Sequence, residues 1–310
     1  MRSRHKVGSI EIIMKRPFRV SLLIYLGILI LFCHPGRGAS DSALPEIRSS
    51  VQGIYALGSA GKLFTQEILE NPYVDGLTIR IRWKDLEPAR DQYDWSFLDL
   101  VMEQARVFGK RASVSVAAGR HTPDWVYQSG AQSFTFIDPN PYHKDTFCTE
   151  LRIPIPYDPI FLREWKDLIQ ALGLRYKSHP ALTKVRISGI NTSSAELILP
   201  HSSGKAIPNC DKTSNDIQNW INAGYTATLI KNTWLDIANA FQAAFPDKAL
   251  SDAFSPNGLP KINDFGQYDA KLRLNEDILN LGRASLGPFF IPQNNGLSAK
   301  MDHRGLRKPP

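Results

Sequence analysis

The chain has 310 residues, 43% of them hydrophobic, enough for one large packed core. Its net charge of +7 does not describe a nucleic-acid surface. Residues 1–40 hold seven Lys or Arg (Arg2, Arg4, Lys6, Lys15, Arg16, Arg19, Arg37) against the single acid Glu11, and the chain from Asp41 on is close to neutral. No repeat at solenoid periods and no low-complexity tract is present.

The basic segment leads into an apolar run from Val20 to Cys33, followed by the small residues of Gly36–Ser40. Basic, apolar and small stretches in that order read as a secretory signal peptide over residues 1–40, with export to the periplasm or the exterior. An uncleaved N-terminal membrane anchor is the alternative, the run being somewhat short of a full span. Met14, directly before Lys15 and Arg16, is a second possible start. Residues 41–310 are then the folded domain.

From Val51 on, β-like runs alternate with amphipathic helices. Strands are expected at 51–58, 76–83, 112–118, 182–190, 249–254 and 287–292, and helices at 62–70, 95–108, 159–176, 214–244 and 272–281. Residues 121–157, rich in Pro, Asp and aromatics, read as one long loop. Strict alternation implies an α/β fold with a parallel sheet, and long loops after the strands favour a (β/α) barrel of the TIM type over an open sheet. A dinucleotide-binding sheet is disfavoured, because Gly58-Ser59-Ala60-Gly61 lacks the phosphate-binding pattern. Six strands can be read where a closed barrel needs eight, so the domain is expected to be incomplete at its C-terminal side.

The segment Gly76–Leu98 (GLTIRIRWKDLEPARDQYDWSFL) carries the most specific signal. Arg80 or Arg82 with Trp83 ends a strand, Leu86-Glu87-Pro88 follows, and Tyr93-Asp94-Trp95 opens a helix. The next unit contains Gly119–Val126 (GRHTPDWV). Together these stretches resemble the second and third barrel units of clan-A glycoside hydrolases, closest to the family 42 β-galactosidase-like group.

That resemblance implies hydrolysis of O-glycosidic bonds in a β-linked oligo- or polysaccharide, with an acid/base carboxyl after the fourth strand. Glu196 is the candidate there, although Ala195 stands where the family has Asn, and Asn191 lies five positions earlier. A retaining mechanism also needs a nucleophilic carboxylate about 5–5.5 Å from the first. The seventh strand expected to carry it is not found, so the pair cannot be completed within these residues. A non-catalytic carbohydrate-binding or interaction protein on a degenerate barrel is the alternative reading.

Arg82, Trp83, His121, Trp125, Asn191 and Asn294 are the candidate substrate-binding residues, since aromatic faces pack on sugar C–H groups while amides and cations meet hydroxyls. Glu87 is expected to order its loop, and Asp94 to cap the following helix. Cys148 and Cys210 are either a disulfide formed after export or two unrelated thiols. No metal motif, nucleophile elbow or cofactor fingerprint is present, so no cofactor is expected. The expected partner is carbohydrate, with no nucleic acid and no membrane beyond the N-terminal segment.

Overall fold

The computed structural model describes residues 51–255 and 257–294. The proposed signal segment and the C-terminal tail lie outside the described residues. In chain order the strands are β1 Tyr55–Leu57, β2 Gly76–Arg82, β3 Arg111–Ala117, β4 Ser133–Ile137, β5 Glu150–Pro154, β6 Leu182–Arg186, β7 Ala249–Phe254 and β8 Phe290–Asn294. The helices are α1 Gln66–Glu70, α2 Trp83–Leu86, α3 Ser96–Val107, α4 Asp124–Gln128, α5 Pro159–Tyr176, α6 Asp216–Asn222, α7 Ala227–Ala244 and α8 Leu274–Leu286.

Six strands form one parallel sheet in the order β1-β2-β3-β6-β7-β8. This is the (β/α) barrel fold, incomplete, with six of its eight units among the described residues. Sequence neighbours pair because each helical crossover returns the chain to the same sheet in the same hand.

Period-two patterning builds each strand. In β2, Leu77, Ile79 and Ile81 are buried in the core cluster that also holds Leu98, Val101 and Met102 of α3. Val114 and Val116 of β3 join the same cluster. The opposite face is polar: Arg80 pairs in register with Ser115, and Arg186 with Ser251. Helix α5 places Phe161, Trp165, Leu168, Ile169, Leu172 and Tyr176 on one buried stripe. Its start is fixed by Pro159 in the first turn and by Asp158, whose Oδ1 accepts the amides of Ile160 and Phe161. Helix α3 starts one residue later than expected, so its N-cap position falls on Trp95; Asp94, expected to cap it, stands one residue ahead and accepts the Ser96 amide at 3.0 Å.

Two expectations are corrected. The long loop at 121–157 contains an antiparallel hairpin, β4 with β5. Phe134 and Phe136 alternate inward there, and Phe134 stacks on Trp220 of α6 with centroids 3.7 Å apart. The helix expected over 214–244 is two helices. The chain turns at Ala223–Tyr225, and Thr226 restarts it by accepting the Leu229 amide.

Candidate active site

All six parallel strands point their carboxyl ends the same way, so the loops that follow them gather at one end, where barrel enzymes carry their chemistry. The loop after β6 is the central one. It leaves β6 at Arg186, runs under the turn after β3, and crosses to β7. There the Leu197 amide donates to the Ala253 carbonyl at 2.9 Å, and Leu197 bridges to Phe254. Glu196 is therefore held over the end of β7 as well as beyond β6.

Glu196 is half-buried and lines a cleft of about 560 Å3. One wall comes from the hairpin connection: Phe136, Asp138, Pro139, Asn140 and His143. The other is the β6 loop and its continuation to α6, including Thr192, Ser193, Ser194, His201 and Asp216. A disulfide between Cys148 and Cys210, with Cα atoms 5.5 Å apart, ties the two walls together. Among the described residues, Cys148, Cys210 and Asp211 form a group within metal-ligand reach, but both sulfurs are consumed in that bond.

The hairpin wall is organised by Asp138. Its carboxylate accepts from Thr146 Oγ1 at 2.7 Å and the Asn140 amide at 3.1 Å, and lies 2.9 Å from His143 Nδ1. In the other wall Asp216 accepts from the Ser202 amide and the Ser214 hydroxyl, and burial raises its pKa. His201 Nδ1 lies 2.7 Å from the Leu199 carbonyl oxygen, which makes that nitrogen the protonated one in the neutral ring. Asp138, His143, His201 and Asp216 were missed by sequence reasoning. The signal available was the FIDPNPYH stretch, in which Asp and Asn two residues apart can each bond the backbone ahead of them.

Of the sequence candidates Glu196 lines the cleft, and Arg82, Trp83, His121, Trp125, Asn191 and Asn294 do not. His121 lies in the turn after β3, near Ser193, Arg120, Arg82 and Lys84. Burial first, then the charges of Arg120 and Arg82, lower its pKa to about 4, so the ring is neutral at neutral pH. Arg82 forms a 3.7 Å ion pair with Asp85. Asn294 ends β8 in register with Phe254.

Trp83 does not present a stacking face. It is fully buried, and its indole N–H donates to Glu87 Oε2 at 2.7 Å. Its hydrophobic ring is needed in the core, where it packs 5.0 Å from Trp165. Trp125 abuts Trp83 edge-on and donates to the Glu87 carbonyl oxygen. Glu87 itself is buried, with Oε1 also accepting the Asp91 amide, and burial raises its pKa to about 7. Asn191 too is buried beneath the loop, with Oδ1 accepting the Gly189 amide and Nδ2 without a hydrogen bond. These residues shape the loops after β2 and β6 from below.

Beneath Glu196, Arg186 is buried and donates to Gln293 Oε1 at 2.7 Å, bridging β6 to β8. A void of about 10 Å3 separates Glu196 from Asp252 and Trp234.

The profile of glycoside hydrolase family 42, described as β-galactosidase, matches residues 71–235. The β-amylase catalytic domain of Paenibacillus polymyxa superposes with a TM-score of 0.53 at 13% identity, over 78% of this chain and 76% of that one. Xylanase B of Clostridium stercorarium F9 gives 0.40 at 17% identity, over 78% of this chain and 60% of that one. A β-galactosidase of the psychrophilic Marinomonas ef1 gives 0.40 at 11% identity, over 66% and 38%. The chain thus spans less than two thirds of each of the latter two. No curated protein sequence matches it.

Proposed function

The chain belongs to glycoside hydrolase family 42, the β-galactosidase family, and from that premise we propose that it hydrolyses O-glycosidic bonds of a β-linked carbohydrate, with Glu196 as the general acid/base. The observation that carries this reading is the position of Glu196. It is the carboxyl that lines the cleft from the loop after β6 and is pinned at the carboxyl end of β7.

The chemistry follows from carboxylic acid catalysis. In its acid form the carboxyl donates a proton to the glycosidic oxygen in the first step, and as the carboxylate it takes one from water in the second. The cleft supplies hydroxyls, the Asn140 amide and the His201 imidazole for sugar hydroxyls, with Phe136, Ile198 and Leu199 for C–H faces. A retaining reaction requires a second carboxylate opposite Glu196. The other two carboxyls of the cleft, Asp138 and Asp216, are committed to hydrogen bonds within their own loops. That commitment favours a second reading, in which the cleft binds carbohydrate without cleaving it.

Export is part of the proposal. A basic–apolar–small N-terminal segment supports it, and so does a disulfide, which persists in oxidising compartments. Among the described residues no helix is long and apolar enough to cross a membrane.

The test is turnover of a panel of aryl β-glycosides by the full chain and by Glu196→Gln. Loss of turnover of at least about a hundredfold in the variant, with sugar binding kept, supports the assignment. Equal turnover by both proteins removes Glu196 from the mechanism. Binding of polysaccharide without turnover by either selects the second reading.

A further inference from the structure

Tyr142 is 90% exposed, yet it stands on a loop with little freedom to move. Its amide donates to Asn140 Oδ1 at 3.0 Å, and the Asn140 amide donates to Asp138. The Cys148 amide donates to the Asp138 carbonyl oxygen, and Cys148 is bonded to Cys210 in the opposite wall. Asn140 and His143, on either side of Tyr142, both line the cleft. An aromatic ring is thus held in water beside the cleft by a network that fixes its backbone.

Holding a large apolar ring in solvent gains nothing for folding, because its surface stays wet. On a rigid loop it costs little entropy to use, since the backbone is already ordered before any ligand arrives. A sugar ring is the ligand chemistry that fits, with one face of C–H groups for the aromatic ring and a hydroxyl for the flanking Asn140, whose side-chain amide keeps one N–H beyond its bond to His143 Nε2. Phe265 is a useful contrast. It is 87% exposed and sits on a similar Asn-anchored turn, but its loop is tied to the start of α7 and contributes nothing to this cleft.

We propose that Tyr142 is a stacking platform for a sugar residue outside the position acted on by Glu196, so that the site takes an oligo- or polysaccharide chain. This rests on the glycosidase reading above and adds a substrate class to it. The platform does no chemistry. It contributes binding only to substrates long enough to reach it, so its effect must grow with chain length.

The experiment compares wild type, Tyr142→Ala, Tyr142→Phe and Phe265→Ala. Substrates are aryl β-glycosides and cello-, xylo- and β-1,4-galacto-oligosaccharides from disaccharide to hexasaccharide. Retardation in gels containing the parent polysaccharides is measured in parallel. The expected result for Tyr142→Ala is a loss that rises with length, reaching about tenfold in kcat/KM or in gel affinity for the longest chain, carried by KM. Tyr142→Phe keeps the ring and stays near wild type, and Phe265→Ala shows no dependence on length. A loss equal at all lengths, or no loss, overturns the platform while the glycosidase reading stands. Wild-type protein that neither turns over any of these compounds nor is retarded by the polysaccharides overturns both.

Discussion

Trp234 of α7 donates its indole N–H to Asp252 Oδ2 of β7 across 2.7 Å, in a setting closed to solvent. Asp252 is the acidic residue of β7, and this bond turns it toward the helical layer and away from the cleft. Burial, opposed by the indole and by Arg186, raises its pKa from 3.8 to about 7. A carboxyl with a raised folded pKa binds its proton more tightly when folded. Its contribution is therefore favourable below about pH 4 and is lost as pH rises toward 7.

Asp252→Asn keeps an acceptor for Trp234 and removes the ionisation. The variant is expected to gain stability relative to wild type as pH rises from 5 to 8, by about 2–3 kcal/mol. Denaturant unfolding at both pH values measures it. A difference between the two proteins that does not change with pH would remove Asp252 from the titration.

The disulfide encloses a long loop, its cysteines being 62 positions apart. Chain-entropy reasoning gives about 4 kcal/mol for closing a loop of that length, as an upper figure. The Cys148→Ser/Cys210→Ser variant is expected to lose about 10 °C in Tm, and to lose carbohydrate affinity, because the two cleft walls are no longer tied. A variant with unchanged affinity would show that Asp138 and its partners hold the hairpin wall unaided.

The parallel sheet was legible in the sequence because its strands announce themselves by alternation. Leu77, Ile79 and Ile81 face one way and Arg80 and Arg82 the other, and every strand of the sheet overlaps its expected range, β3 starting one residue before it and β8 running two residues past it. The family resemblance was legible for the same reason, since Leu86-Glu87-Pro88 and Tyr93-Asp94-Trp95 are local. What could not be read was burial. Trp83 looked like a stacking ring, and only three-dimensional packing against Trp165 and Trp125 shows it to be core. The hairpin was hidden because its two short strands are separated by a Pro- and Asp-rich connection, and their pairing is non-local. The cleft wall they carry was hidden with them.

His121 is expected to remain neutral down to a midpoint near pH 4. The cause is burial first and then the neighbouring cations Arg120, Arg82 and Lys84. Because the folded pKa lies below the ordinary value of 6.5, its contribution to stability is present above pH 6.5 and is lost as pH falls toward 4. An NMR titration of the imidazole reads the midpoint directly, and Arg120→Gln should move it upward. A midpoint near 6.5 in wild type would place the ring in solvent.

Gly119 sits at the junction of the two loops that build the site. Its φ is +55°, and a Cβ there would collide with the carbonyl oxygens of Asn191 and Thr192. Those oxygens cannot easily retreat. Asn191 is buried, and the Thr192 carbonyl oxygen accepts the Arg120 amide at 2.8 Å. Gly119→Ala therefore adds a steric clash to the cost of a left-handed conformation. Gly109→Ala separates the two, because Gly109 has a similar φ of +62° with nothing within 4 Å of the added methyl. The expected loss is about 1 kcal/mol for Gly109→Ala and about 2–4 kcal/mol for Gly119→Ala. Of the two, Gly119→Ala alone should weaken carbohydrate binding, since the loop it displaces leads directly to Glu196. Equal losses in both variants, with binding intact, would mean that the β6 loop yields to the methyl group and that the contact does not set the position of Glu196.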